Sequence, residues 1–212
     1  MELAMSLGLF TKDANGDVWF DIDCLAHPHP KHFVFNLNDD PKEGRVLILY
    51  TGYTFDPTKV GMNLIQQQHV SSGDFIQQLE THLAQCVQFW QEDERRWGFL
   101  RVVYHDSGEW VFNEVVWNAH NDLINGTSVD VAPSHTSPIG MNVNELYCIG
   151  VGEVHAQNDW LTTGVLPMED RLRSALQAAY DNGALVQIPS VRRPAKLSDC
   201  ILSFAAENQL LT

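Results

Sequence analysis

Residues 99–117 read FLRVVYHDSGEWVFNEVVW, which is the pattern of a β-hairpin. Two apolar runs rich in β-branched and aromatic residues flank the turn sequence Asp106-Ser107-Gly108. The pattern predicts one strand from Phe99 to His105 and a second, antiparallel strand from Trp110 to Trp117.

The residues upstream of this hairpin predict two more. One pairs Leu7–Thr11 with Val18–Asp23 around Asn15-Gly16, because Asn-Gly supplies the positive φ angles that such a turn needs. Its second strand alternates apolar and polar residues, as half-buried strands do. The other pairs His32–Leu37 with Arg45–Tyr50, and the second of these strands is apolar on both faces, which predicts a central place in the sheet.

Helices are predicted between and after the hairpins. The longest, with apolar residues at helical spacing, runs from about Gly73 to Arg95 and is stopped by Gly98. Another runs from about Met168 to Tyr180. Two shorter helices are predicted near Leu64 and after Ser198.

Two further segments complete the outline. Residues 118–144, rich in Asn, Asp, Ser, Thr, Pro and Gly, predict a long irregular loop, and residues 146–155 predict a strand. Hairpins outnumber βαβ units. The expected class is therefore α+β, with a mostly antiparallel sheet and three to four helices packed on it, in a single globular domain over residues 1–212.

The negative charge of the chain is concentrated in one segment. The net charge is −14, and residues 102–170 contain ten acidic residues and no lysine or arginine. Proteins that bind a nucleic-acid backbone need clustered cations, so direct DNA or RNA binding is not expected. An acidic field repels phosphates and anionic membranes and attracts basic surfaces.

The cysteines and the N-terminus predict a cytoplasmic protein. Cys24, Cys86, Cys148 and Cys200 are widely spaced, form no CxxC pair and are each followed by an apolar residue, which indicates reduced thiols in the core. Residues 1–10 lack the basic start of a signal peptide, and no apolar run reaches 18 residues.

One group of residues has the composition of a metal site. Cys24 is followed by His27, His29 and His32, four zinc-type ligands within nine residues. The intervening prolines hold the stretch extended and direct the ligands apart. We therefore interpret it as a loop that joins two strands and predict no metal ion or other cofactor.

Catalytic motifs are missing from the sequence. It contains no GxSxG, no GxGxxG and no GxxxxGK[ST]. The remaining candidates are His105, His155 and Cys148, together with neighbouring carboxylates, and they suggest a small hydrolase or deamidase as the alternative function. On a strand, however, Cys148 and His155 would point to opposite faces.

The preferred hypothesis is a non-enzymatic acidic protein, such as an inhibitor, immunity-type or accessory protein, that binds a basic protein surface. Charge complementarity would speed association, while buried aromatic anchors would provide affinity. A homo-oligomer formed through a hairpin edge is an open alternative. The predicted partner-binding residues are Trp110, Glu114, Trp117, Asp122, Asp130 and Trp160.

Overall fold

A computed structural model describes residues 7–23, 31–38, 40, 42–52, 72–86, 95–122, 127–128, 134–184 and 194–200. Within these ranges the chain forms short and long strands and three α-helices. The strands are β1 (Leu7–Lys12), β2 (Val18–Ile22), β3 (His32–Asn36), β4 (Arg45–Gly52), β5 (Arg95–Asp106), β6 (Glu109–Asp122), β7 (Thr127–Ser128), β8 (Ser134–His135), β9 (Ile139–Gly140), β10 (Tyr147–Gly150) and β11 (Ala195–Lys196). The helices are α1 (Ser72–Cys86), α2 (Glu153–Thr162) and α3 (Met168–Asp181).

The strands form two antiparallel sheets. The smaller sheet has the order β10-β1-β2-β11, and the larger has the order β3-β4-β5-β6-β7, with β8 and β9 also pairing with β6. The predicted α+β class with a mostly antiparallel arrangement is confirmed.

The sheets and helices stack in four layers. One apolar cluster joins the two sheets and includes Phe10, Phe20, Leu47 and Phe112. The outer face of the larger sheet packs against α1, and the outer face of the smaller sheet packs against α2 and α3. Each sheet thus packs against other elements on both faces, which accounts for strands such as β4 that are apolar on both sides.

The predicted hairpins are present. Strands β1 and β2, β3 and β4, and β5 and β6 pair as expected, and β4 lies between β3 and β5. Ser107 and Gly108 both have positive φ, which fits the tight turn between β5 and β6. In the first hairpin Gly16 has a φ of 79°, whereas Asn15 is not among the residues with positive φ.

Three predicted element boundaries are wrong. Arg95, the predicted end of the long helix, belongs to β5, because β5 pairs with β6 as far as Arg95 opposite His120. Tertiary pairing here outweighs local helix propensity. Part of the predicted irregular loop is also strand, since residues 118–122 belong to β6 and the short strands β7, β8 and β9 lie between residues 127 and 140.

His155 lies in a helix and not in a strand. The strand that was predicted through residue 155 ends at Gly150, and α2 begins at Glu153. Gly150 and Gly152 both have positive φ, a conformation that side-chain-bearing residues rarely adopt and that redirects the chain. The helix predicted near Leu64 lies outside the described residues. Where the last helix was predicted to start after Ser198, residues Leu197–Asp199 form a 3-10 turn and Cys200 is extended, and the rest of that helix lies outside the described residues.

Candidate partner-binding site

Helix α2 and the turns on either side of it expose apolar side chains to solvent. The exposed fractions are 66% for Val154 and 79% for Leu161, which lie on one face of α2 together with the exposed Asn158. Val151 precedes the helix and is exposed, and Val165, which is 94% exposed, follows it. We call these five residues the α2 ridge. Single exposed apolar residues are ordinary, whereas several of them close together are a candidate interaction surface.

The opposite face of α2 is fixed in the core. Ala156 and Trp160 are buried against the smaller sheet and α3. The indole N–H of Trp160 donates to the carbonyl of Asn144 at 2.9 Å, and the guanidinium of Arg171 lies 3.6 Å from the centre of its ring. Arg171 also donates to the carbonyl of Trp160 at 2.8 Å. Because these contacts set the rotation of the helix, the ridge must point outward.

Gly152 lets the start of α2 approach α3 closely. Its φ is 88°, and a Cβ atom there would lie 2.8 Å from the Cβ of Ala184 and 2.9 Å from the Cβ of Ala179. The glycine therefore serves two purposes, a left-handed turn and a close contact.

Gly152→Ala is expected to lower the free energy of unfolding by about 2 kcal/mol, because the new methyl group meets two others and φ is unfavourable. Gly164→Ala is the matched control, since a Cβ at Gly164 meets nothing within 4 Å. Chemical denaturation measures both. Equal effects of the two substitutions would contradict the close packing of Gly152.

The segment that contains the ridge is acidic. From Glu145 to Asp170 the chain contains five acidic residues and no lysine or arginine. Glu153 and Asp170 are exposed. The next cation along the chain, Arg171, is held over the ring of Trp160. The ridge thus lies in a segment with negative charge and without lysine or arginine.

The predicted partner-binding residues have different surroundings. Trp110 and Trp160 are core residues, and the Trp110 indole N–H donates to the carbonyl of Gly16 at 3.0 Å. Their burial contradicts a role as exposed anchors. Glu114 is half-buried and pairs with Arg101, with 2.9 Å between Oε1 and the guanidinium. Trp117 and Asp122 lie on β6, where their side chains are not described, and Asp130 lies outside the described residues.

The candidate catalytic residues lie on three different elements, His105 on β5, Cys148 on β10 and His155 on α2. Burial, together with the charge of Glu153, raises the pKa of Cys148 to about 12, the opposite of what a thiolate nucleophile needs. The ring of His105 packs edge-on against that of Trp110, with 5.4 Å between the ring centres. His155 is half-buried.

The candidate metal ligands are only partly described. His27 and His29 lie outside the described residues, as does Cys24. His32 is on β3, and its ring centre lies 5.3 Å from that of Phe20. Among the residues that the structure describes, no group of three His, Cys, Asp or Glu side chains is arranged to hold a metal ion.

One charged cluster was not anticipated from the sequence. Asp21 and Asp23 of the β2 segment are 7% and 1% exposed. Nζ of Lys31, itself buried, lies 2.8 Å from Oδ2 of Asp23, and the amide of Leu7 donates to Oδ1 at 2.9 Å. Asp21 accepts a bond from the amide of Ile22. The apolar–polar alternation of β2 predicted exposure of these carboxyls, whereas in the structure α3 packs against β2.

Comparison of the chain with models of protein families, with curated proteins and with solved structures found no match in any of the three. In the part of the chain described above, no helix is both long enough and apolar enough to cross a membrane.

Proposed function

We propose that the protein is a non-enzymatic acidic binding protein that docks on a basic protein surface through the α2 ridge. The observation that carries this proposal is the group of exposed apolar residues inside a segment without lysine or arginine. Apolar contact provides most of the affinity at such interfaces, while the surrounding charge favours some partners and repels others.

The charge also indicates which partners are unsuitable. A second copy of the chain would bring the same acidic segments together, and an anionic membrane or nucleic acid would be repelled. A protein with lysine or arginine around an apolar contact fits best. Inhibitors, immunity-type proteins and accessory subunits act in this way, because they bind a surface of their partner without catalysing a reaction on it.

The double substitution Val154→Ser and Leu161→Ser is expected to reduce partner recovery at least tenfold in a pull-down from the native host at low salt. Both side chains face solvent, so the free energy of unfolding should change by less than about 0.5 kcal/mol each. High salt should weaken recovery by the wild type, because it screens the acidic segment.

Val143→Ser provides the matched control. Val143 is 50% exposed but lies outside the ridge, so this variant should retain the partner. Equal recovery by the wild type and the ridge variant would overturn the proposal. Recovery that does not respond to salt would remove the electrostatic part of it.

A further inference from the structure

Strand β10 is an edge of the smaller sheet that lacks the features which protect edges from further pairing. It pairs with β1 on one side, and among the residues that the structure describes no strand pairs with its other side. Edge strands are usually protected by charged residues, prolines or bulges. The opposite edge of the same sheet, β11, is two residues long, contains Lys196 and follows Pro194. Residues 147–150 contain neither a charge nor a proline.

The open side of β10 presents main-chain groups of Cys148 and Gly150. On the side of β1 that faces β10, the carbonyl of Lys12 accepts a hydrogen bond from the amide of Asn144 at 2.7 Å. Because main-chain groups alternate in direction along a strand, the even-numbered residues of β1 bond to the odd-numbered residues of β10. The N–H and C=O of Cys148 and the N–H of Gly150 therefore point away from β1, and they make no hydrogen bond within the described ranges.

The next strand position beyond β10 lies over an uncovered part of the larger sheet. Strand β1 packs over β4, and β10 packs over β4 and β5, so a further strand would lie over β5 and β6. On this face of β6, Phe112 is 4% exposed and contacts the ring of Tyr147, whereas Val116 is 38% exposed. Phe99 lies directly opposite Val116 in the register and is 40% exposed. The smaller sheet therefore ends before the larger one does and leaves apolar side chains uncovered.

Charged groups lie next to the open side of β10. Arg101 and Glu114 form an ion pair on the face of the larger sheet that carries Val116. Burial lowers the pKa of Arg101, and the charges of Glu114 and Glu153 oppose this decrease. Burial raises the pKa of Cys148, and the charge of Glu153 adds to this increase. The exposed carboxylate of Glu153 is therefore close to the open side of β10, where it favours a cation in a bound segment.

We infer that the open side of β10 binds an extended segment of another protein, which adds to the smaller sheet as an antiparallel strand. Its main chain would bond to Cys148 and Gly150, as in other complexes where a peptide extends a sheet. Alternate side chains would cover Phe99 and Val116 and are therefore apolar. The side chains between them would lie beside α2, where Glu153 favours lysine or arginine. This inference does not depend on the α2 ridge, because its hydrogen bonds come from β10 and its apolar contact from the larger sheet.

The arrangement predicts which amide groups of the bound segment are needed. Residues opposite each other in a sheet point to the same face. The side chain of Cys148 packs in the cluster with α2 and α3, so the residue that bonds to Cys148 is one of the basic residues. The amides of the apolar residues point away from β10. Methyl groups on the main-chain nitrogens of the basic residues should therefore prevent binding, whereas the same groups on the apolar residues should not.

Four blocked heptapeptides test the inference with the whole ¹⁵N-labelled chain. The first has valine at odd positions and lysine at even positions. The second and third carry three N-methyl groups each, on the lysines and on the last three valines respectively. The fourth has glutamate in place of lysine. Binding is followed by amide chemical shifts and by amide hydrogen exchange, which slows when an amide becomes hydrogen-bonded.

The first peptide is expected to slow exchange at Cys148 and Gly150 at least tenfold, and the third peptide should do the same. The second and fourth should bind at least fivefold more weakly. Val116→Ser should weaken binding of the first peptide at least fivefold, because it removes apolar contact beneath the added strand. Leu161→Ser, in the α2 ridge, is the matched control and should leave binding within twofold.

The outcomes separate this inference from the proposed function. Equal binding of the second and third peptides, or no protection of the two amides by the first, would overturn strand addition. Protection that appears without peptide as the protein concentration rises would assign the edge to a second copy of the chain and would also overturn the inference. None of these results changes the proposed function, which is decided by the pull-down with the ridge variant.

Discussion

Asp23→Ala is expected to lower the free energy of unfolding by about 3–5 kcal/mol, because it leaves the ammonium of Lys31 buried without its partner. Both side chains of this pair are almost fully shielded from water, with 6% of Lys31 and none of Asp23 exposed. The substitution also removes the acceptor of the Leu7 amide, a second buried polar group.

The double variant Asp23→Asn and Lys31→Met is the informative companion. The asparagine keeps an oxygen for the amide of Leu7, and the methionine fills the place of the lysine stem without a charge. Replacement of both partners of a buried pair is often close to neutral, so most of the lost stability should return. Urea denaturation of the wild type, each single variant and the double variant gives the coupling free energy.

If the double variant is as unstable as Asp23→Ala, the loss does not come from the stranded charge. If Asp23→Ala changes the free energy of unfolding by less than about 1 kcal/mol, the pair is not buried in solution as it is in the structure. A mild effect of this size is typical of exposed ion pairs.

Local patterns predicted the pairing of strands but not their burial. The turn at Ser107-Gly108 and the alternation on either side were sufficient for the β5–β6 hairpin, since both act between neighbouring residues. The alternation of β2 was also recognised, yet it indicated solvent on the side of Asp21 and Asp23. The helix that packs against β2 is α3, which begins at Met168, far from β2 along the chain, a fact that no local pattern contains.

The ridge was missed for a related reason. The segment after Tyr147 was interpreted as a continuous strand, in which Val151 and Val154 would alternate between faces. The sequence does contain a pattern that indicates a helix here. Ala156 and Trp160 are four residues apart, and on a helix they lie on the side opposite Val154 and Leu161. The acidic segment as a whole was predicted to contain the binding surface, and the proposed site lies within it.

The tryptophans show where composition misleads. Three tryptophans in an acidic segment suggested anchors at an interface. In the structure Trp110 packs between the two sheets, and Trp160 packs on the buried face of α2. A tryptophan can be buried in a core at little cost when its indole N–H has a hydrogen-bond acceptor. Trp110 and Trp160 each have such an acceptor in a backbone carbonyl. The apolar residues that α2 and its flanking turns leave exposed are smaller and aliphatic.

The buried carboxyl of Asp21 is expected to make stability depend on pH. Leu9 lies opposite Asp21 in the β1–β2 register and belongs to the apolar cluster beneath α2 and α3. Burial raises the pKa of Asp21 from 3.8 to about 7, and the negative charge of Asp23 adds to the rise; the Ile22 amide and the charge of Arg173 oppose it. The folded protein therefore keeps this proton at pH values where the unfolded chain has lost it.

The direction of the effect follows from proton linkage. Below about pH 4 Asp21 is protonated in both states and imposes no cost. Between about pH 4 and 7 Asp21 ionises in the unfolded chain but not in the folded protein, so the free energy of unfolding falls as the pH rises. Above about pH 7 the carboxyl is ionised in both states, and the folded protein is destabilised by the whole cost of burying the charge. Asp21→Asn removes this dependence. It should raise the free energy of unfolding by about 4 kcal/mol at pH 8 and change it little at pH 4.

Urea denaturation from pH 4 to pH 8 measures the difference between Asp21→Asn and the wild type, in which the contributions of other carboxyls cancel. Asp106→Asn, at an exposed turn, is the control that removes a carboxylate outside the buried cluster. The Cγ chemical shift of Asp21 should titrate near neutral pH. A stability difference that is flat across this range would mean that the carboxyl is solvated, and α3 would then not cover β2 as closely as the structure has it.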